Sequence, residues 1–366
     1  MGREGFLLLI SLLSLALSFR SSCVQAAITL PPEDRPLTRH YYKKLITCKN
    51  VEAFVQHQVM LFWNKEKSLT AKLLKLLYSD CMVNGCDASI LLDGPQSEKT
   101  APQNAGLGAK LPNLGLTVFD VIDKIKIIIE DRCPGAVSCT DILNLATRDA
   151  VHYVKSSTYT HTYYHGYKSL LSMLKYYHES IRDGLESKAE WVYYPSPSIS
   201  WESALAFFRS KGLDVQDMAT LLGAHTMGKA HCSYILDRLY NFNNTGKPDP
   251  SMKKSLLTNL RKQCPPKSKT GQSNPLVFLN PDNGPNYKFT NSYYSRVLSH
   301  KSVLAVDQQL LYGSSNGTKQ LTNQYAGSFE DFGEEFALSI SRMGGLKVLT
   351  GNKGEIRRNC RSTNIK

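Results

Sequence analysis

The stretch Leu221-Leu222-Gly223-Ala224-His225-Thr226-Met227-Gly228 ends an amphipathic segment whose start and apolar face can both be identified. Asp214 is placed to cap a helix here, and Asp217 lies three residues further on, near the positive end of the helix dipole. One stripe then recurs at helical spacing: Met218, Leu221, Leu222 and His225. A histidine that continues an apolar face is usually a core residue, so this stretch alone predicts a buried helix end that carries an imidazole.

The second informative stretch is residues 75–93, KLLYSDCMVNGCDASILLD, which joins a helix to a cysteine-bounded loop. Ser68 is placed to cap this helix, which we predict to run through Ala71–Tyr78. Lys75 and Ser79 lie four residues apart, so their side chains share one face of the helix. The sequence therefore predicts a polar face beside a face of leucines.

The N-terminus predicts export. Residues 1–26 combine a short basic start, an apolar run from Phe6 to Leu17 and the small-residue site Val24-Gln25-Ala26, which is the pattern of a cleaved secretory signal. A membrane anchor fits less well, because the run is shorter than the roughly 20 residues that span a bilayer. No later segment is apolar enough to cross a membrane, so we expect cleavage near Ala26 and a soluble mature chain of residues 27–366.

The chain carries an excess of basic residues, with 44 Lys and Arg against 31 Asp and Glu. Loss of residues 1–26 removes Arg3, Glu4 and Arg20 and lowers the formal charge from +13 to +12. In an exported protein this excess fits either adhesion to acidic polysaccharide surfaces or ordinary solvated lysines, and the sequence leaves both open. No basic cluster interleaved with aromatic residues predicts a nucleic-acid groove.

Cysteine usage also fits export. Nine cysteines are present, and Cys23 leaves with the signal. The eight that remain predict four disulfides in an oxidising compartment, although about 105 pairings are possible from the sequence alone. No pair of CxxC motifs favours zinc instead. The sequons at Asn243 and Asn316 are typical of glycosylated surface loops.

Helical periodicity dominates the rest of the chain, and convincing strands are few. The other helices that we predict are residues 118–130, a helix opened by Ser200 and closed by Gly212, and Phe329–Met343. The tyrosine- and histidine-rich residues 155–180 lack capping and turn chemistry, which indicates an atypical insertion or an error in the gene model. We therefore predict a mostly α-helical domain with long, disulfide-tied loops.

Both stretches resemble the plant secretory (class III) haem peroxidases: residues 221–228 are similar to the proximal-histidine motif and residues 75–93 to the distal motif. Further matches follow in family order over nearly all of the mature chain: residues 138–143, 306–308, 342–344 and 357–361. The resemblance implies the haem-peroxidase fold, in which distal and proximal helical halves sandwich haem b. It also implies one disulfide pairing: Cys48–Cys133, Cys81–Cys86, Cys139–Cys360 and Cys232–Cys264.

The resemblance assigns two proximal residues. His225 matches the axial ligand of the haem iron, and Asp307 matches the carboxylate that accepts the other imidazole N–H. Such a carboxylate raises the basicity of the ligand and favours cleavage of the O–O bond. The proximal half is therefore expected to be chemically intact.

Two calcium sites are implied in the same way. At the first site, Asp80, Asp87 and Ser89 match side-chain ligands, and Val83 and Gly85 would offer backbone carbonyls. Glu98 matches a carboxylate that binds the ion through a water molecule. At the second site Thr226 and Asp282 match, whereas Pro285 and Thr290 replace a threonine and an aspartate. Losing a carboxylate lowers the charge available to an ion, so we expect the first site to bind calcium and the second to be impaired.

The distal pair departs from the family. Lys75 stands at the position of the peroxide-activating arginine, and Ser79 stands at that of the distal histidine. A serine hydroxyl cannot take up a proton near pH 7, and lysine keeps the charge but not the planar fork. Asn104 matches the residue that orients the histidine, which is missing here. Pro195, in Tyr194-Pro195-Ser196-Pro197, matches the proline at the substrate edge of the haem.

Two functions remain open after the sequence analysis. The first is H2O2-dependent one-electron oxidation of small phenolic donors at the cell wall, with turnover impaired by Lys75 and Ser79. The second is a haem- and calcium-binding wall protein with little or no turnover. In both cases the resemblance implies a secreted monomer, in the cell wall rather than the vacuole, without nucleic-acid or membrane partners.

Overall fold

The computed structural model describes residue 37 and residues 41–156, 182–186, 188–266, 274–313 and 317–364. The chain divides into the units Met1–Pro32 and Glu33–Lys366, and every element described below belongs to the second unit. The predicted signal of residues 1–26, most of residues 155–180 and the sequon residue Asn316 lie outside the described residues. The predictions made for them stay predictions.

The first half of this unit is helical, as the sequence predicts. Its α-helices are α1 (Tyr41–Lys44), α2 (Val51–Lys65), α3 (Leu69–Cys81), α4 (Val118–Arg132) and α5 (Cys139–Ser156). Thr117 and Asp120 form a reciprocal cap at the start of α4, in which each side chain accepts from the other residue's backbone N–H. Helices α2, α3 and α4 all pack against α5, which therefore forms the centre of this half.

The second half contributes eight further α-helices among the described residues. They are α6 (Trp201–Ser210), α7 (Val215–Leu222), α8 (Leu236–Tyr240), α9 (Lys254–Gln263), α10 (Ser292–Leu298), α11 (Ala305–Gln308), α12 (Gly317–Gly327) and α13 (Phe329–Gly344). Ser200 caps α6 and Asp214 caps α7, both as predicted. Asp217 also accepts the backbone N–H of Asp214, which makes the cap of α7 reciprocal. In the described part of the chain, no helix combines the length and the apolarity needed to cross a bilayer.

The start of α3 differs from the prediction. The helix begins at Leu69, and Ser68 has helical dihedral angles rather than the extended ones of a capping serine. Its hydroxyl donates to Glu66 Oε1 at 2.6 Å instead of accepting a bond from the helix. The predicted capping bond is therefore wrong, because the Glu66 carboxylate competes for the serine and supplies the negative charge at the helix start.

The described residues contain one small sheet. Strand β1 (Lys229–His231) follows directly on the quoted stretch and pairs antiparallel with β2 (Leu276–Phe278), with Ala230 opposite Val277. The prediction of few strands and a mostly α-helical chain is confirmed. The pairing brings the residues that follow β2 back towards the quoted stretch, where they meet Thr226.

The described residues contain four disulfides: Cys48–Cys133, Cys81–Cys86, Cys139–Cys360 and Cys232–Cys264. These are the same four pairs that the family resemblance implies. The Cys139–Cys360 bond joins residues 221 positions apart, which links the start of α5 to the C-terminal segment. A cross-link that closes so long a loop stabilises the folded state by roughly 2–4 kcal/mol, mainly by restricting the unfolded chain.

The buried, oppositely charged residues Asp183 and Arg357 stabilise the same region. Asp183 is fully buried and accepts backbone N–H groups from Cys139 at 3.1 Å and Thr140 at 2.9 Å, so it caps α5 from a distant part of the chain. It also accepts the backbone N–H of Arg357 at 2.9 Å. The buried Arg357 side chain donates to Ala88 O at 2.7 Å. The C-terminal segment therefore holds both α5 and the loop that follows α3.

An aromatic cluster packs beneath the quoted stretch. It consists of buried rings contributed by the segment before α10, by α10 itself, by α12 and by α13: Phe289, Tyr294, Tyr325, Phe332 and Phe336. A β-carbon at Gly223 would lie 2.5 Å from Tyr294 Oη and 2.6 Å from Phe332 Cε2. Gly223 is therefore required for space, because any larger residue would push the histidine turn away from this cluster.

Candidate active site

His225 lies in the short 3-10 turn Gly223–Thr226 that ends α7. Its Nδ1 is 2.8 Å from Oδ1 of Asp307, which is buried in α11, whereas the imidazole is 30% exposed. A neutral imidazole donates from one nitrogen and accepts at the other, so Nδ1–H facing the carboxylate leaves the Nε2 lone pair available. An axial iron ligand needs such a lone pair, and the residues present therefore fit haem.

Tyr293 completes this proximal group. Its hydroxyl donates to the same Asp307 Oδ1 at 2.9 Å, and its ring lies edge-on to the imidazole of His225. Burial, and then the charge of Asp307, raise the pKa of Tyr293 well above its usual value, so the phenol keeps its proton and remains a donor. The sequence analysis missed this residue, whose only signal was its place in the pair Tyr293-Tyr294.

Helix α3 carries the distal residues Lys75 and Ser79. Ser79 is fully buried, and its hydroxyl has no hydrogen-bond partner among the described residues. The Lys75 ammonium lies 5.2 Å from the ring centre of Tyr78 and 4.8 Å from that of Tyr194. Burial lowers the pKa of Lys75 to about 8. The distal face therefore offers an amine that titrates near neutral pH beside an idle hydroxyl.

Tyr194 covers the end of this helix. Its hydroxyl donates to the backbone carbonyl of Ser79 at 2.5 Å, and its ring lies 5.5 Å from that of Tyr78. Burial raises the pKa of Tyr194 above its usual value, so it stays a neutral donor. Pro195, the predicted substrate-edge residue, follows directly and is half-buried. The motif Tyr194-Pro195 predicts a role for the proline, but no role for the tyrosine was predicted from the sequence.

Asn104 is the remaining distal residue. Its side chain is buried, and its Nδ2 donates to the backbone carbonyl of Glu98 at 2.9 Å. Its Oδ1 is also buried and accepts no hydrogen bond from any described residue. The amide is thus oriented with a free acceptor, which is the group that would hold the N–H of a distal imidazole.

The distal helix and the histidine turn are neighbours in space. A β-carbon built on Gly228, three residues after His225, would lie 3.6 Å from Cβ of Ala71, which is one turn before Lys75 on α3. Gly228 has φ of 98°, a conformation that favours glycine and lets the chain turn into β1. The two stretches that the sequence singled out are therefore brought to one region of the fold.

The loop after α3 gathers buried carboxylates. Asp80 Oδ2 accepts from the backbone N–H of Asp87 at 3.2 Å and of Ala88 at 3.0 Å, while its Oδ1 is buried without a described partner. Burial, and then the charge of Asp87, raise the pKa of Asp80 well above its usual range. The same causes raise the pKa of Glu98 to about 7. A bound cation would offset this accumulation of buried negative charge, so these residues fit calcium.

The other predicted donors of this loop are a hydroxyl and two carbonyls. Within the described ranges, no three His, Cys, Asp or Glu side chains form a metal cluster, and the predicted set takes only two direct carboxylates. Ser89 is buried, and its backbone N–H donates to Asp87 Oδ1 at 2.9 Å. Lys211 Nζ donates to the Val83 carbonyl at 2.7 Å, which leaves that oxygen one further lone pair. Gly85 has φ of 120°, a conformation that favours glycine.

The second ion site, which the sequence predicts to be impaired, does not bring Asp282 to Thr226. Asp282 lies at the surface, where its carboxylate pairs with Arg296 at 3.0 Å, and it does not meet Thr226. Asn283, the next residue, faces Thr226 instead, with its Nδ2 donating to the Thr226 carbonyl at 2.8 Å. The prediction of Asp282 is corrected accordingly, because the loop turns so that the asparagine points inwards and the aspartate outwards.

Comparison with known proteins agrees with this geometry. A peroxidase family model matches residues 51–328, which include α3, the histidine turn and Asp307. Probable peroxidase 26 of Arabidopsis thaliana is 54% identical over 338 residues, covering 92% of this chain and 93% of that protein. Probable peroxidase 61 of the same plant is 53% identical over 360 residues, covering 98% of this chain and 97% of that protein.

A more distant relative comes from another plant. The lignin-forming anionic peroxidase of Nicotiana tabacum is 36% identical over 320 residues, covering 87% of this chain and 90% of that protein. These similarities extend over most of both partners, and the residues matched by the family model contain His225 and Asp307. The chain therefore belongs to the plant secretory peroxidases, a family of secreted haem enzymes that act on hydrogen peroxide and bind calcium.

Proposed function

We propose that this protein binds haem b between α3 and His225 and oxidises small phenolic donors one electron at a time with hydrogen peroxide. The observation that carries the proposal is the 2.8 Å contact between His225 Nδ1 and Asp307 Oδ1. The carboxylate makes the imidazole a stronger electron donor at Nε2, which favours cleavage of a peroxide O–O bond. Haem, when bound, supplies the redox chemistry, and the chain's own residues position peroxide and move its protons.

Turnover is expected to be slow because Ser79 cannot perform the proton transfer. Its hydroxyl is neutral near pH 7 and has no described partner that could withdraw its proton. General acid–base catalysis by a well-placed side chain contributes roughly 10²–10⁴ in rate. A peroxidase without that group retains the proximal ligand but loses most of the driving force for protonating the leaving oxygen.

Lys75 is the group that can replace part of this function. With a pKa of about 8, about one lysine in ten is neutral at pH 7. The neutral amine can accept a proton from bound peroxide, forming an N–H bond, and return that proton to the oxygen that leaves as water. In its charged form the same side chain can stabilise negative charge on that oxygen, although without the bidentate geometry of arginine.

This role predicts a pH dependence. We expect the rate constant for reaction with hydrogen peroxide to rise about tenfold between pH 7 and pH 9, as Lys75 loses its proton, and to level off above its pKa of about 8. Stopped-flow absorption of the haem protein measures this rate. Lys75→Met should lack the rise, and subtracting its profile removes the contribution of hydroperoxide anion. A rate that falls as the pH passes 8 would instead make the charged lysine the active form.

A second candidate function is a haem- and calcium-binding wall protein without appreciable turnover. It is favoured by the two idle distal atoms, Ser79 Oγ and Asn104 Oδ1, which are buried and unpartnered among the described residues. Under this function Lys75, the titratable side chain on the same helix face, does not replace the missing imidazole. The protein would then use the family fold for binding rather than for reaction.

The absorption spectrum of the mature haem protein, before and after addition of hydrogen peroxide, distinguishes the two functions. Under the first, the haem band shifts within seconds to minutes and returns when a phenol such as guaiacol is added. Under the second, the band keeps its position at peroxide concentrations that convert an active plant peroxidase run in parallel. We expect a slow but complete shift, because the proximal pair is intact.

The remaining parts of the proposal concern placement and metal content. One calcium ion is proposed in the loop of residues 80–89, supported by the buried carboxylate oxygen of Asp80. Cleavage after Ala26 would leave residues 27–366 as a peroxidase domain of formal charge +12 that is secreted as a monomer. That charge is suited to retention by acidic wall polysaccharide. Pro195 is proposed as the residue at the edge of the site that a phenolic donor approaches, because its motif resembles the family's proline motif.

A further inference from the structure

Four oxygen atoms converge on one nitrogen beneath the histidine turn. Nδ2 of Asn283 lies 2.8 Å from the Thr226 carbonyl, 2.8 Å from the Lys288 carbonyl, 3.2 Å from Thr226 Oγ1 and 3.2 Å from Thr290 Oγ1. Asn283 is buried, and Thr226 directly follows His225 in the chain. An inward-facing set of carbonyl and hydroxyl oxygens around a single point is the arrangement that usually surrounds a hard cation.

The orientation of the amide follows from its partners. The carbonyls of Thr226 and Lys288 can only accept hydrogen bonds, so the amide group between them must present its NH2 and not its oxygen. Its two hydrogens satisfy these two carbonyls, and the hydroxyls of Thr226 and Thr290 complete the shell. The group at the centre of the oxygen cage is therefore a hydrogen-bond donor built into the chain.

The same cage does not fit a calcium ion. Calcium is bound by six to eight oxygens that usually include carboxylates, but the cage oxygens of Thr226, Lys288 and Thr290 are all neutral. The nearby Asp282 carboxylate lies at the surface and is paired with Arg296. Thr226 Oγ1 also donates to the Thr290 carbonyl at 2.8 Å, so the oxygens are already engaged with one another. An ion here would have to displace the amide and break these bonds.

We infer that the Asn283 amide takes the place of the family's second calcium ion and positions the His225 turn by hydrogen bonds alone. Asn283 is then a positioning residue that acts on the axial ligand through Thr226. The inference rests on the proposed function only in that His225 is the haem ligand. A chelator that removes the ion from residues 80–89 should leave the proximal side unchanged.

The test is an exchange of asparagine and aspartate at adjacent positions. Asn283→Asp replaces the central NH2 by an oxygen that faces four other oxygens, an arrangement that a cation stabilises. We expect this variant to bind one more calcium ion per chain than the wild type, measured by elemental analysis after dialysis against calcium. Its thermal unfolding temperature should fall in excess EDTA by more than that of the wild type. The matched control Asp282→Asn should leave the calcium content at the wild-type value.

Two outcomes would overturn the inference. One is loss of a calcium ion from Asp282→Asn, which would make that carboxylate the ligand after all. The other is an Asn283→Asp protein that gains no ion and is no more sensitive to EDTA than the wild type. An Asn283→Asp protein that folds only when calcium is present would support the inference, because the inference predicts that this variant depends on calcium.

A spectroscopic readout separates positioning from stability alone. The iron–histidine stretching band in the resonance Raman spectrum of the reduced haem protein reports the strength of the axial bond. We expect EDTA to shift this band in Asn283→Asp and not in the wild type. The calcium content can be measured without haem and without turnover. It therefore tests the inference about Asn283 even if the protein proves not to be an active peroxidase.

Discussion

Combining Ser79→His with Lys75→Arg is expected to raise the rate of reaction with hydrogen peroxide by roughly 10²–10⁴, the largest effect that we anticipate from any substitution in this chain. The imidazole would take the peroxide proton and return it, and the guanidinium would stabilise the separating charge. Restoring a single charge-stabilising donor is worth about 10²–10³ on its own. The two gains serve one step, so they are not expected to multiply. Stopped-flow absorption of the haem protein measures the rate.

The surroundings of Ser79 are already arranged for an imidazole. Asn104 Oδ1 is buried with no described donor, and a histidine N–H at position 79 would provide one. The Tyr194 hydroxyl donates to the backbone carbonyl of Ser79, so the substitution leaves that contact in place. Ser79→Ala is the matched control, and its rate should equal that of the wild type. A double variant that reacts no faster than the wild type would show that the distal pair does not limit the reaction.

Asp307→Asn is expected to lower haem affinity or the rate with peroxide by roughly 10–100-fold, the range typical for loss of a partner to a metal-ligating histidine. The change keeps the shape of the side chain but removes the charge that His225 Nδ1 and the Tyr293 hydroxyl now share at 2.8 Å and 2.9 Å. The amide can also turn its NH2 towards the histidine, which would favour the wrong tautomer. Haem transfer to an apo-globin measures the affinity.

Tyr293→Phe is the control for this second prediction. It removes the other donor to Asp307 Oδ1 but leaves the carboxylate facing His225. Because the charge on the axial ligand's partner is retained, we expect less than about a tenfold effect. Equal losses in both variants would mean that the orientation of the carboxylate, rather than its charge, is what the histidine needs.

The sequence predicted the parts of the fold that depend on neighbouring residues. The reciprocal cap of Asp214 and Asp217 lies within four residues, so its bonds are determined locally. Ser68 has the same kind of local signal, but Glu66 competes for its hydroxyl, and that competition became visible only with coordinates. For residues 155–180 the sequence contains no local capping or turn pattern, so no helix or strand was predicted there.

The candidate site divides in a similar way. His225 and Asp307 could be predicted because each lies in its own short motif, and the structure brings them to 2.8 Å. Tyr293 lies in no such motif, and its role depends on how α10 and α11 pack together. Asn283, rather than Asp282, faces Thr226 because of the path of the loop between β2 and α10. In such a loop a shift of one residue changes which side chain points inwards. Composition and spacing carry no information about that direction.

The contacts of Asp183 and Arg357 have a consequence for biosynthesis. The start of α5 is capped by Asp183, which accepts the backbone N–H of Arg357, and Cys139 at the same helix start is bonded to Cys360. A chain under synthesis therefore lacks the contacts of Arg357 and Cys360 until its last residues have been added. During that interval α5 and the helices that pack on it form an unfinished intermediate, and exposed apolar surface makes such intermediates prone to aggregation.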